Sequence, residues 1–344
     1  MSVNQFEILG KLGEGAFSTV FKVRRKSDGC VYALKKVRFA GLSSKEKENA
    51  LNEVRILASI SHPNIIAYKE AFFDESTSTL CIVMEFADSG DLLHQIENRK
   101  KSSSRFTEQE IWDTLIQLTK GLKSLHKLNI LHRDLKCANV FIHDGVAKIG
   151  DLNVSKVNKR GLAYTQTGTP YYASPEVWRD QPYNSSSDIW SLGCVIYEMA
   201  SLCPPFQAND MQGLYRKVVK GLYPDIPTLY SVDLSNVIKG MIQVNPNVRP
   251  TCERLLEMPQ VVRNMNWKKV ENGDFQVDLL QTIQFVPSLR VLTNRLPAAN
   301  YEKKARGFSA KLPKFEVIGK ENFGEGKEEG GKVLNRVPFV RRCK

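Results

Sequence analysis

Two carboxylates and a carboxamide fall close together in the middle of this chain: Asp134 and Asn139 within ILHRDLKCANVFI, and Asp151 within GDLNVSK. Such oxygens suit a magnesium ion, and the set leaves one acceptor to take a hydroxyl proton. Upstream lies Gly13-Glu14-Gly15-Ala16-Phe17-Ser18-Thr19-Val20, between two predicted strands. Glycines there let backbone amides approach phosphate oxygens with no side chain in the way. Taken alone, the loop is equally explained as an ordinary hairpin with glycines in its turn. A dinucleotide-binding loop would run from a strand directly into a helix, and here a strand follows. Lys35 ends an alternating strand, and Glu53 follows on a capped helix. A lysine near phosphates must be held by a counter-charge, and a carboxylate on an adjacent helix can orient its ammonium. An arbitrary Lys and Glu would be a surface pair. The order of loop, lysine, glutamate and three oxygen ligands makes the set read instead as phosphoryl-transfer machinery.

These residues need a scaffold of two kinds. Up to residue 87, FEILGKLG, STVFKVRRK, VYALKKVRF and TLCIVMEFA carry β-branched and aromatic residues between turn signals, and so read as strands. Ser43-Ser44-Lys45-Glu46 has the form of a capping box opening a helix, with Leu51, Val54 and Leu57 or Ala58 on one side. Beyond Asp88 the pattern turns helical: Thr107 to Glu110 forms another capping box, and Ile111, Leu115, Leu118, Leu122 and Leu125 follow at steps of four and three. HDGVAKI reads as a hairpin between Asn139 and Asp151. The class expected is α+β, a small sheet with one prominent helix followed by a larger, mainly helical region.

The 344 residues, 42% hydrophobic, allow roughly two core-bearing units. The start MSVNQFEILG lacks the form of a signal peptide, and no stretch approaches the roughly 20 apolar residues of a membrane span, so a cytoplasmic protein is expected. Seven scattered cysteines form neither a disulfide framework nor a zinc pattern. The net charge of +12 is concentrated at the end: residues 260–344 carry 17 Lys/Arg against 9 Asp/Glu. A nucleic-acid binder should set its basic residues in a motif or an aromatic-interleaved face, and neither is present.

The motifs resemble those of the eukaryotic protein kinase family over about Phe6 to Pro259, continuing through GTPYYASPE (Gly168 to Glu176), SDIWSLGC (Ser187 to Cys194) and Arg249 in NPNVRP. HRDLKCANVF, GTPYYASPE and SDIWSLGCVIYEM are similar to the NIMA-related serine/threonine kinases. The resemblance implies a bilobal fold, with an N-lobe to about residue 87 and a C-lobe over 88–259. It implies ATP and Mg2+ as cofactors, with Mn2+ able to substitute. Leu12, Gly13, Gly15, Ser18 and Val20 would cover the nucleotide, with Ser18 where a third glycine is common. Ala33, Met84 as gatekeeper, the backbone of Glu85 and Ala87, Asp91 toward the ribose and Phe141 as floor would complete its site. Lys35 would hold the α- and β-phosphates, oriented by Glu53. Asp134 would accept the hydroxyl proton, Lys136 would neutralise charge on the transferred group, and Asn139 and Asp151 would hold the metal.

Lys136, two places after Asp134, and Thr169 imply Ser/Thr rather than Tyr as the acceptor. Arg133 implies control by a phosphate on the activation segment, at Thr165 or else Thr167. Glu176 with Arg249 would form a buried salt bridge, and Asp188 would brace the catalytic loop. GDLNVSK stands where Asp-Phe-Gly is usual: Asp151 keeps the metal role, while Leu152 fills less volume than the aromatic. Asn153 is the non-glycine residue that best tolerates left-handed backbone.

The resemblance also brings protein substrates, and cell-cycle, centrosome, basal-body or ciliary settings. The basic tail could remain solvated, bind acidic surfaces such as microtubules, or dock through residues 278–301, where Leu279, Leu280, Ile283, Leu289, Leu292 and Leu296 are many for a disordered stretch. A short docking helix over 278–301 would be broken at Pro287. Lys320-Glu321-Asn322 spells a KEN degradation signal. A pseudokinase scaffold, binding partners without catalysis, is the alternative from another class.

Overall fold

A computed structural model describes residues 3–15, 18–41, 43–151, 170–265, 296–297 and 299–301, leaving out the side chains of Lys45, Glu46, Asn49, Asn52, Glu53 and Ile56. The N-terminal region is a five-stranded antiparallel sheet of β1 (Phe6–Glu14), β2 (Ser18–Arg25), β3 (Val31–Arg38), β4 (Tyr68–Asp74) and β5 (Thr79–Glu85), in the order β1-β2-β3-β5-β4. Helix α1 (Ser44–Ser59) separates β3 from β4. Four of the strands coincide with the β-branched runs of the sequence. The fifth, β4, has no such run: YKEAFFD sets a lysine and a glutamate against the alternation, and the structure has a bulge at Lys69, where the register steps from Tyr68↔Met84 to Glu70↔Val83.

The sheet buries both faces. Val54 and Leu57 of α1 join Phe39, Leu80 and Ile82 in the main core, while Phe6, Val23, Tyr32, Leu34, Phe72, Cys81 and Val83 form a second cluster. Alternation along β5 explains the division, since successive side chains point to opposite faces.

The larger region is helical: α2 (Leu92–Lys101), α3 (Glu108–Lys127), α4 (Pro175–Trp178), α5 (Ser185–Ser201), α6 (Met211–Lys220), α7 (Val232–Met241), α8 (Cys252–Glu257) and α9 (Pro259–Arg263). The capping box at the start of α3 is present: Thr107 N donates to Glu110 Oε2 at 2.6 Å, and Glu110 N donates to Thr107 Oγ1 at 3.2 Å. Ile111, Leu115, Leu118, Leu122 and Leu125 are all fully buried. The α5 helix is buried along most of its length, through residues 187–200. Between α3 and α4 lies the hairpin of β6 (Val140–His143) and β7 (Val146–Ile149), turned at Asp144 and Gly145 with φ of 47° and 73°. The α+β architecture expected, a small sheet followed by a larger helical region, is the one observed. Residues 1–301 form one compact unit.

Candidate active site

Two elements bring the oxygen ligands together. The loop from His132 to Asn139 is fixed from beneath by Asp188, which is fully buried at the start of α5. Its Oδ2 accepts the amide of His132 at 3.1 Å and its Oδ1 that of Arg133 at 3.1 Å. His126 Nε2 lies 2.8 Å from Oδ2, and Tyr183 donates its hydroxyl to Oδ1 at 2.5 Å. Burial alone would push this carboxyl up, but the hydrogen bond from His126 and the neighbouring imidazoles hold it below its ordinary value. Arg133 takes a left-handed φ of 66° there, a strained backbone that these bonds maintain.

Asp134 then faces two donors. Lys136 Nζ is 3.2 Å from Asp134 Oδ2, and Asn139 Nδ2 donates to the Asp134 carbonyl at 2.8 Å and to its Oδ2 at 3.2 Å. Both contacts of the Asn139 amide nitrogen are thus to Asp134. Gly150 N donates to the Asn139 carbonyl at 2.9 Å, coupling the loop to the end of β7.

Asp151 follows at once, with φ of 52°. Its Oδ1 lies 2.9 Å from Lys35 Nζ on β3, so the lysine spans from the sheet to the helical region. The Lys35 charge is the main cause that holds the Asp151 carboxyl below its ordinary value, and it is ionised at neutral pH. Glu53 stands on α1, but its side chain is outside the described residues, as are Leu152, Asn153, Thr165, Thr167 and Thr169. An Asp151 carboxylate and an Asn139 carboxamide oxygen form a hard-oxygen pair that fits a divalent cation such as Mg2+ or Mn2+.

The residues expected to cover and floor a nucleotide lie on the sheet and the hairpin. Gly13 pairs with Val20, and Gly15 N donates to Ser18 O at 2.7 Å. A Cβ built on Gly13 would meet nothing within 4 Å, so the loop is open on that side. Leu12 is half exposed, as an apolar lip over a cleft would be. Ala33 pairs with Met84 across β3 and β5. Glu85 N donates to the Ala67 carbonyl at 2.9 Å, and its carboxylate is tied by Lys148 at 2.8 Å and by Ala67 N at 3.1 Å. Ala87 is buried beyond it. Phe141 bridges to Asp91, whose Oδ1 accepts His94 N at 2.8 Å as the N-cap of α2. The residue expected to face the ribose is thus also a helix cap.

Farther down, Arg249 donates to both oxygens of Glu176, at 2.7 and 2.8 Å, and Ser187 adds a third bond at 2.7 Å. Both members of the pair are buried. Three features have no signal in the sequence. Gly150 packs so closely that a Cβ would come within 2.6 Å of the Phe141 ring. Tyr172 donates to the buried Glu198 at 2.5 Å, and the Cys137 thiol contacts the same oxygen at 3.4 Å. Neither the tyrosine nor the cysteine carries a local mark of a partner that far away in the chain. Asp91 as a cap, by contrast, is suggested by its place just before LLHQIENRKK.

Lys35 from the sheet meets Asp151 beside the loop that carries Asp134 and Asn139, a set with the residue types of phosphoryl-transfer machinery. Residues 6–261 match the protein kinase domain family. The chain is 42% identical over 259 residues to a probable serine/threonine-protein kinase nek2 of Dictyostelium discoideum, covering 74% of this chain and 62% of that protein. It is 39% identical over 252 residues to mouse serine/threonine-protein kinase Nek1, covering 72% of this chain and 21% of the other. With human serine/threonine-protein kinase Nek2 the identity is 37% over 265 residues, 74% and 59% of the two chains. The chain belongs to the protein kinase family, in its NIMA-related branch. The match takes in less than two thirds of the length of each of these relatives.

Proposed function

We propose that the protein is a serine/threonine protein kinase that transfers the γ-phosphoryl group of ATP to hydroxyls of protein substrates. The observation that carries this reading is the convergence of Lys35 and Asp151 at 2.9 Å with the Asp134, Lys136 and Asn139 cluster, from β3, the loop after α3 and the end of β7. Asp134 is the acceptor for the hydroxyl proton, and its bond from Asn139 fixes the carboxylate for that task. Lys136 supplies positive charge beside it. Lys35 binds phosphate oxygens and is positioned in turn by Glu53. Asn139 and Asp151 hold the metal ion, Mg2+ or in its place Mn2+, which when bound would supply charge neutralisation at the phosphates. The glycine loop, with Leu12, Ser18 and Val20, Ala33, Met84, the backbone of Glu85 and Ala87, Asp91 and Phe141, encloses the nucleotide.

Lys136 and Thr169 favour Ser/Thr acceptors. Arg133, held at the loop by Asp188, supports control through phosphorylation of Thr165, with Thr167 as second choice. The resemblance to the NIMA-related kinases favours a cell-cycle, centrosome, basal-body or ciliary setting in the cytoplasm, and the basic tail favours an acidic partner such as a microtubule. Radiolabel transfer from ATP to a generic protein substrate by the purified chain, compared with Lys35→Met and Asp134→Asn, tests the activity. Transfer by wild type alone supports the enzyme. No transfer by wild type with nucleotide still bound would mean a pseudokinase scaffold. Full activity of Thr165→Ala, with no phosphate on Thr165 by mass spectrometry, would end the regulatory proposal.

A further inference from the structure

The β4 edge of the sheet carries polar groups that meet a segment well beyond the kinase-family match. The bulge in β4 leaves the Lys69 carbonyl outside the ladder with β5, on an edge strand. Asn300 donates its amide to that carbonyl. One residue earlier, Tyr68 donates its hydroxyl to the Pro297 carbonyl at 3.1 Å. One residue later, Glu70 is 3% exposed, and its Oε2 accepts the Tyr301 hydroxyl at 2.5 Å, while Oε1 has no hydrogen-bond partner among the described residues. A buried carboxylate is costly unless bonded, so this face is built to be covered by a donor.

The Tyr301 ring supplies the rest. It lies under the Arg25 guanidinium, 3.3 Å from its centroid, and meets the Tyr32 ring edge-on at 5.3 Å. It closes the second core cluster over Phe6, Val23 and Leu34, and Leu296 packs against the main core. Burial and the Glu70 charge push the hydroxyl well above the ordinary tyrosine value, so it stays a donor throughout the physiological range. Contact therefore runs from β2 and β3 to β4, at the end of the sheet where Tyr32 pairs with Glu85 and Tyr68 pairs with Met84.

We propose that residues 296–297 and 299–301 belong to an intramolecular strap, anchored by Tyr301, that docks along the β4 edge and the outer face of the N-lobe and braces the strands bearing Ala33, Met84 and Glu85. Gln109 donates to the Asn264 carbonyl at the end of α9, and the described residues resume at Leu296. Docking stands on its own geometry; its effect on nucleotide affinity rests on the kinase reading.

The test uses the full-length chain with Tyr301→Ala and Tyr301→Phe. Hydrogen exchange over residues 68–74 is expected to quicken several-fold in Tyr301→Ala. It should quicken less in Tyr301→Phe, which keeps the ring under Arg25 but loses the bond to Glu70. KM for ATP should rise several-fold in Tyr301→Ala. Equal exchange in wild type and Tyr301→Ala would overturn the strap, and so would protection of 68–74 that disappears on dilution, since a second copy would then supply the tyrosine. Faster exchange with unchanged KM supports docking and overturns the bracing of the nucleotide site. A wild-type chain that transfers no phosphate would defeat the kinase reading, and the exchange comparison would still decide the strap.

Discussion

At the scale of single residues, the site is held by donors that leave their partners little choice of position. Asp134 faces both Lys136 and Asn139, and Asp151 faces Lys35. Asp134→Asn keeps the shape but removes the proton acceptor, so kcat should fall about a hundred- to ten-thousand-fold with a small change in nucleotide affinity, read from steady-state kinetics and nucleotide titration. Asp151→Ala should abolish transfer, while Asn153→Gly should retain it, since the kinase pattern has glycine at that place and asparagine is the non-glycine residue that best tolerates left-handed backbone. Arg249→Ala strands the buried Glu176 carboxylate and should cost about 3–5 kcal/mol in urea unfolding. These residue types were legible in the sequence because phosphoryl transfer admits few substitutes for them. Glu198 was not: its partners, Tyr172 and Cys137, are set by the fold rather than by spacing.

At the scale of elements, the loop that carries Asp134 depends on α5 beneath it. Asp188 receives bonds from two loop amides, His126 and Tyr183, and its folded-state value lies below the ordinary 3.8. Because the folded value is depressed, the stabilisation is fully present above the ordinary value and is lost as pH falls through the folded one. Asp188→Asn should therefore be less stable at neutral pH, and its stability should decline less steeply than that of wild type below about pH 4, measured by denaturant titration across pH. Gly150→Ala would drive a methyl into the Phe141 ring, and a cost of about 1–3 kcal/mol with weaker nucleotide binding is expected. The α3 helix was readable because its cap and periodicity are local. The β4 strand was not, because its bulge breaks the alternation at Lys69, and its stability comes from β5 on one side and the strap on the other.

At the scale of the whole molecule, the compact unit extends to Tyr301, past the end of the family match at residue 261. Of the leucine-class residues singled out over 278–301, Leu296 is described and packs against the main core, but no spacing says that Tyr301 would meet Glu70, since the two are far apart in the chain. Most of that segment, the KEN tripeptide and the basic end lie outside the described residues. The kinase reading itself is tested most directly by one measurement: phosphate transferred from γ-labelled ATP to a protein substrate, with phosphoamino acid analysis of the product, for wild type beside Asp134→Asn. Label on serine or threonine with wild type, falling at least about a hundred-fold in the variant, is the outcome expected from the geometry of Asp134. Equal incorporation by the two proteins, or none by either, would contradict it.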